Sequence, residues 1–263
     1  MSIRQLEPTA LWNHFADLNE VPRPSKHEER VIAFMQNFGR SLGLETHTDS
    51  VGNVIIKKPA TPDMEGRKTI VLQGHLDMVH QKNNDTVFDF DAEGIRSYID
   101  GDWVKAQGTT LGADNGIGVA SIMTLLASQD IPHPPLEALF TIDEETGMTG
   151  AKGLVENLLT GDVLLNLDSE EDNELTIGCA GGLNTNTTIR YAEEAASPGH
   201  TGLRISVSGL KGGHSGIEIH LGRGNANKIM NRLLYGMYER CGLRIASVDG
   251  GGLRNAIPRE SVA

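Results

Sequence analysis

The sequence predicts an α/β domain, with helices packed on a mainly parallel sheet, followed by an α+β domain. Three observations predict it. Short, nearly unbroken apolar runs recur at 69–73, 136–142 and 162–167, each the length of a strand. Continuous apolarity suits strands covered on both faces. A helical pattern lies between the first two runs, which gives strand, helix, strand. After Asp168 the texture changes to an alternating segment and one long amphipathic helix.

Taken in order, Leu11, Phe15 and Leu18 recur at helical spacing within 6–18, and Pro22 and Pro24 end that helix. Ser25 has N-cap chemistry, and Glu28 three positions on completes the pattern of a capping box. The helix behind it carries Val31, Ile32, Met35 and Phe38 on one face and ends near Gly39 or Gly43. Residues 54–57 form a short strand candidate. The run at 69–73 is the next strand. A helix over 117–127 starts after Asp114-Asn115-Gly116 and stops before Pro132-His133-Pro134-Pro135. The runs at 136–142 and 162–167 follow. The glycine-rich stretch 177–182 reads as a hinge, and the second domain starts near residue 184. Residues 203–207 alternate as a half-buried strand should. A helix over about 225–240 carries Ile229, Leu233, Leu234 and Met237, and 261–263 fall in another strand candidate.

Composition narrows the function. The 263 residues carry a formal net charge of -12, which disfavours nucleic acid, whose phosphates need a basic face. Most of that charge suits a solvated acidic surface; part of it suits the holding of cations. The only cysteines, Cys179 and Cys241, make neither a disulfide framework nor a Cys-x-x-Cys zinc pattern, which suits a reducing, cytoplasmic setting. The first twelve residues lack the pattern of a secretory signal, and no stretch approaches the length of a membrane span.

The chemistry gathers where the apolar runs stop. The first is followed by Gly74-His75-Leu76-Asp77, the second by Asp143-Glu144-Glu145, the third by Asp168-Ser169-Glu170-Glu171. Asp114 sits just ahead of a helix. Sites in α/β sheets form beyond the carboxyl ends of parallel strands. Imidazole and carboxylates gathered there suit zinc, manganese or cobalt. His75 and Asp77 are two apart, so both face one side of an extended chain, and the carboxylate can accept the second ring proton of a ligand histidine. The plainer alternative for His75 is a satisfied buried histidine. Glu144 and Glu145 are costly neighbours unless a cation or proton lies between them. One could bind metal while the other takes a proton from water, and spacing does not say which. Asp114 reads first as a ligand, second as a helix cap, third as part of a glycine-rich phosphate loop, where its charge would repel phosphate and no lysine follows. Asp168 draws its weight from repeating the pattern of strand then acid. In Gly212-Gly213-His214-Ser215-Gly216, spacing alone favours a flexible loop with an incidental histidine. Gly-x-Ser-x-Gly is absent, which disfavours a serine hydrolase.

In this order the motifs resemble the metallopeptidase family that includes carboxypeptidase G, the aminoacylases, peptidase V and the carnosinases. Longer stretches are similar to bacterial aminoacyl-histidine dipeptidases: 81–86, 108–118, 178–182, 210–219 and 253–260. The resemblance implies two zinc ions, with cobalt or manganese as substitutes. His75 and Asp168 would hold one ion, Glu145 the other, and Asp114 would bridge them. Glu144 would be the general base, and Asp77 would orient His75. It also implies a cis peptide after Asp114. His214 would reach the reacting carbonyl or the substrate carboxylate, in the active site of a partner subunit, with Asn255 assisting at that end. The implied substrate is a small peptide of the Xaa-His type. Residues 1–183 would belong to a catalytic domain and 184–263 would begin a lid domain through which two copies pair. Members of this family place a further histidine ligand near the C-terminus, and no such motif occurs here. The resemblance therefore implies the front part of a longer protein. By itself this part is expected to bind one metal well and the second weakly, with little or no activity.

Overall fold

A computed structural model of the chain describes residues 2–169, 173–178, 181, 183 and 185–263. Glu170 and Glu171, and Cys179, Ala180 and Gly182 of the expected hinge, lie outside the described residues. The chain divides into two compact units, Met1–Asn173 and Glu174–Ala263, so the division falls ahead of the sequence-based boundary near residue 184.

The first unit contains helices α1 (Thr9–Asn19), α2 (Glu29–Ser41), α3 (Ala113–Ala127) and the single turn α4 (Thr149–Lys152). Its strands are β1 (Glu45–Thr48), β2 (Val54–Lys58), β3 (Ile70–His75), β4 (Ser97–Asp100), β5 (Trp103–Ala106), β6 (Leu136–Thr141) and β7 (Val163–Asn166). Five of them form one sheet in the order β1-β2-β6-β3-β7; β4 and β5 make a separate hairpin. β3 pairs in parallel with β6 and with β7. β2 runs antiparallel to both of its neighbours. The sheet is therefore mixed, with its parallel half at β6-β3-β7. The reason is loop length. Only residues 49–53 join β1 to β2, and Asp49 Oδ1 accepts the N–H groups of Val51, Gly52 and Asn53 to close a tight turn. A parallel pair needs a long crossover, and α3 lies within the one from β3 to β6.

Alternation along the strands divides the core. Val54, Ile56, Leu72, Ala138 and Phe140 pack with Val31 and Met35 of α2 and Val119, Ile122, Met123 and Leu126 of α3. The opposite face turns Ile55, Val71 and Leu139 towards Leu154, Leu158 and Leu159. Phe15 and Ala16 of α1 join Ala120 of α3 in a third cluster. β7 departs from the expectation of cover on both faces. Among the described residues its one neighbouring strand is β3, and its Leu164 and Leu165 are 56% and 47% exposed.

The expected capping box at Ser25 does not form. α2 starts at Glu29 without a side-chain cap. Ser25 instead donates its hydroxyl to Asp77, and Glu28 accepts the N–H of Lys26. A buried carboxylate makes a stronger, charge-assisted bond than a cap can offer. The Ser25 N–H is also held by Met78 O, at 3.4 Å.

In the second unit β8 (Ser206–Val207), β9 (Asp249–Gly250) and β10 (Ser261–Val262) form an antiparallel sheet in the order β8-β10-β9. The strand expected over 203–207 shrinks to two residues, with Leu203 exposed. Helix α5 (Ala226–Cys241) is capped by Asn225, whose side chain accepts from Lys228 N–H at 3.1 Å. Its buried side is Ala226, Met230 and Leu234, while Leu233 faces outward. Among the described residues no helix is long and apolar enough to cross a membrane.

Candidate metal centre

Parallel pairing decides where the polar motifs meet. With His75 level with Thr141, and Gln73 level with Asn166, the carboxyl ends of β3, β6 and β7 share one rim. The ladder continues one step past the strands, through Leu76 N–H to Thr141 O at 2.8 Å and Leu167 N–H to Gln73 O at 2.9 Å. His75, the Glu144-Glu145 pair and Asp168 are thereby delivered to one place. Asp114 arrives at the start of α3, beside β3. The peptide joining it to Asn115 is cis, and neither residue has helical backbone angles.

His75 is fully buried. Its Nε2 lies 2.9 Å from Asp114 Oδ1 and 3.7 Å from Asp168 Oδ2. Among the described residues three sets of groups could each hold a cation, every ligand atom within 4.8 Å of the others: His75 with Asp114 and Glu145, His75 with Glu144 and Asp168, and the buried Glu28 with Asp77 and Asp143. All five residues singled out at strand and helix ends are therefore brought together. Distance alone puts each glutamate in one set, so it does not separate base from ligand.

The supports were less visible in the sequence. Asp77 is also fully buried. Its Oδ1 accepts Glu144 N–H at 3.0 Å and lies 3.3 Å from His75 Nδ1. Its Oδ2 accepts Glu145 N–H at 3.3 Å and the Ser25 hydroxyl at 2.8 Å. One carboxylate thus ties the imidazole to the turn bearing both glutamates. Asn115 donates to Leu167 O at 2.8 Å and Asp168 Oδ1 at 3.3 Å. It joins the start of α3 to the end of β7. It also explains Gly74, where a Cβ would collide with Asn115 Oδ1. Asp143 has φ 52°, uncommon for a residue with a side chain. Lys26, Thr146 and Thr149 all bond its buried carboxylate. Asp77 was legible from its place two residues after His75, whereas the sequence signal for Asn115 and Asp143 was their adjacency to the motifs.

The electrostatics suit a cation. Burial, then the charge of Asp114, raises Glu145 to about 8. Burial first, then Asp114, raises Asp168 as well, against the pull of His75. Burial alone would neutralise His75, but its bonds to Asp114 and Asp77 lift it to about 11. Burial opposes the charge on Asp77, yet His75, Glu144 N–H and Ser25 keep it below the usual carboxylate range. The rim thus crowds acidic groups that ionise together only if positive charge joins them. Oxygen and nitrogen donors of this kind suit zinc or a similar divalent ion.

His214 and Asn255 belong to the second unit, where they lie side by side. Ser215 N–H donates to Asn255 O at 3.0 Å, and His214 forms an isolated antiparallel bridge with Ala256. His214 Nδ1 accepts the N–H groups of Gly216 and Ile217, both at 3.1 Å. In the neutral ring the proton therefore sits on Nε2.

The chain is 51% identical over 261 residues to the cytosol non-specific dipeptidase of Escherichia coli (strain K12), an alignment covering 99% of this chain and 54% of that protein. It is similar to the crystal structure of aminoacylhistidine dipeptidase from Vibrio alginolyticus, at 49% identity and a TM-score of 0.68, covering 100% of this chain and 54% of that one. A tripeptidase from Staphylococcus aureus subsp. aureus Mu50 shares the fold, at 20% identity and a TM-score of 0.53, with 98% and 65% covered. The chain thus spans about half the length of the first two relatives. The family model described as peptidase family M20/M25/M40 matches residues 71–236, more than half of the chain and every acid and imidazole of the rim, and the chain belongs to that family.

Proposed function

We propose that this chain carries the metal-binding part of a dipeptidase that hydrolyses Xaa-His dipeptides such as β-alanyl-histidine. The observation that carries the reading is the meeting of one imidazole and a set of carboxylates, from four separate segments, within ligand distance of one another. The names of the two half-identical relatives, both dipeptidases, support the substrate class.

His75 and Asp168 would hold one zinc ion and Glu145 the other, with Asp114 shared between them; cobalt or manganese would suit the same donors. Such ions supply Lewis acidity towards the scissile carbonyl and make water there more acidic. Glu144 takes the proton of the attacking water on its carboxylate and returns it to the leaving amine, which for Xaa-His is the amine of histidine. Asp77 holds His75 at Nδ1, so that Nε2 keeps its lone pair for a ligand bond. His214 offers a fixed Nε2–H to the developing oxyanion, its Nδ1 being taken up by two backbone donors. Asn255 binds the carboxylate end of the substrate. In this reading residues 184–263 begin a lid through which two copies pair, each lending His214 to the other, and the enzyme works in the cytoplasm.

Metal content and turnover test the proposal together. Zinc should titrate into the chain and be lost in His75→Ala. A form of this protein active on peptides should prefer β-alanyl-histidine to acetylated amino acids and tripeptides. The reverse preference would replace the dipeptidase with another amidase of the family, such as an aminoacylase or a tripeptidase. Zinc-dependent pairing of the chain with no turnover in any form would leave a binding protein in place of an enzyme.

A further inference from the structure

We infer that residues 23–28, which place no donor in either metal set built on His75, clamp three of the segments that do, with Arg23 as the principal positioning residue. The inference rests on reading the rim as a metal centre.

Arg23 is 1% exposed. Its Nη1 donates to the backbone oxygens of Leu76 and Asp77, at 3.1 and 3.2 Å. Its Nη2 donates to Gly112 O at 2.6 Å and to Asn19 Oδ1 at 3.2 Å. Leu76 and Asp77 directly follow His75, and Gly112 lies two residues before Asp114. One guanidinium therefore ties the strand end carrying His75 to the turn carrying Asp114. A planar fork of donors can span these oxygens at once, whereas a lysine ammonium is a single point of charge. The turn is shaped to receive it: Gly112 has φ 70°, and a Cβ there would run into Arg23 Nη2.

The rest of the segment repeats the pattern. Ser25 bonds the Asp77 carboxylate, which itself holds the N–H groups of Glu144 and Glu145. Lys26 pairs with Asp143, just before the two glutamates. Met78 N–H to Arg23 O, at 3.1 Å, fixes the segment against the chain beyond β3.

All four Arg23 contacts go to neutral oxygens. Burying a cation against neutral groups is costly, and an apolar residue would fill the same space more cheaply. Two roles could repay it, and they have opposite signs. As a positioning residue, Arg23 strengthens metal binding by holding His75 and Asp114 in register. As a mere counter-charge to the acids, it weakens metal binding by repulsion.

The test uses the full chain with zinc alone and cobalt alone as probes. Zinc affinity is read by competition with a chelator, ligand geometry by the visible absorption of bound cobalt, and folding by melting of the metal-free protein. Arg23→Lys, which keeps the charge and loses the span, should weaken zinc about 10- to 100-fold and alter the cobalt spectrum. Arg23→Met should weaken it at least as much. Ser25→Ala should show a smaller loss in the same direction. Unchanged zinc affinity and cobalt spectrum in Arg23→Lys overturn the inference. Tighter zinc in Arg23→Met overturns it in favour of the counter-charge. Should Arg23→Met fail to fold, Arg23→Lys and Ser25→Ala decide the matter. Absence of zinc binding in the unsubstituted chain defeats the metal-centre reading itself, a result distinct from equal binding by parent and variants.

Discussion

The rim of the first unit and the His214 loop of the second are both polar and both bordered by glycine, yet they are held in different ways. At the rim, His75, Asp77 and Asp143 are buried, and their bonds reach across tens of residues, from Ser25 to Asp77 and from Lys26 to Asp143. In the His214 loop the ring is fixed by its neighbours Gly216 and Ile217, and Glu218 accepts His214 N–H at 2.8 Å. The difference teaches that a site for cations needs support from several segments, because each acid must be kept close to others that repel it. The His214 ring is fixed by a local turn, while the backbone around it pairs with residues 255–257.

The comparison breaks in graded ways. In a form of this protein active on peptides, the largest effect is expected for His75→Ala and Asp114→Ala, which should lose bound metal and with it all measurable turnover, as read by metal analysis and a dipeptide assay. Glu144→Gln comes next. With the proposed base lost, it should keep most of the metal while kcat falls about 10²- to 10⁴-fold, the usual worth of such a group. Normal turnover in that variant would mean the base lies elsewhere. His214→Ala should leave the metal untouched and lower kcat about 10²- to 10³-fold, as the loss of an oxyanion donor does. Loss of metal in His214→Ala would erase the contrast between the two regions.

The smallest effect is on the metal-free protein. Glu145 is raised above its unfolded value, so between about 4.5 and 8 the folded state binds more protons than the unfolded state. His75 is raised too, and its contribution is present below 6.5 and lost as pH climbs towards 11. Both signs agree over this interval. The melting temperature of the metal-free chain should fall from pH 5 to pH 8, and saturating zinc should flatten that slope. A rise in its place would show that the acids of the rim do not crowd one another.

Much of this was legible along the chain. The three apolar runs became β3, β6 and β7, and the residues that follow them became the rim. Parallel strands of equal sense must end on one side, so a repeated pattern of strand then acid carries three-dimensional information. The helix over 117–127 was legible from its start and stop signals. The hairpin of β4 and β5 was not, because each strand has only four residues and its apolar residues stand side by side, Tyr98 with Ile99 and Trp103 with Val104, with no alternation to read. Ser25 was misjudged because a capping pattern is local while its true acceptor, Asp77, lies 52 residues away. Asn115 and Arg23 were missed for the same reason.

Residue types and their order along the chain determined the fold class, the rim and the imidazole and acids at it, since strand-length apolar runs and the polar residues that end them are local properties. Only the tertiary structure decided that the sheet is mixed, that α5 buries Met230 and Leu234 with Leu233 outward, and that Asp77, Asn115 and Arg23 bind the donor segments together. Those outcomes depend on which carbonyl or carboxylate a buried donor meets after the chain has closed on itself, and a distant partner leaves no trace in the spacing of its neighbours.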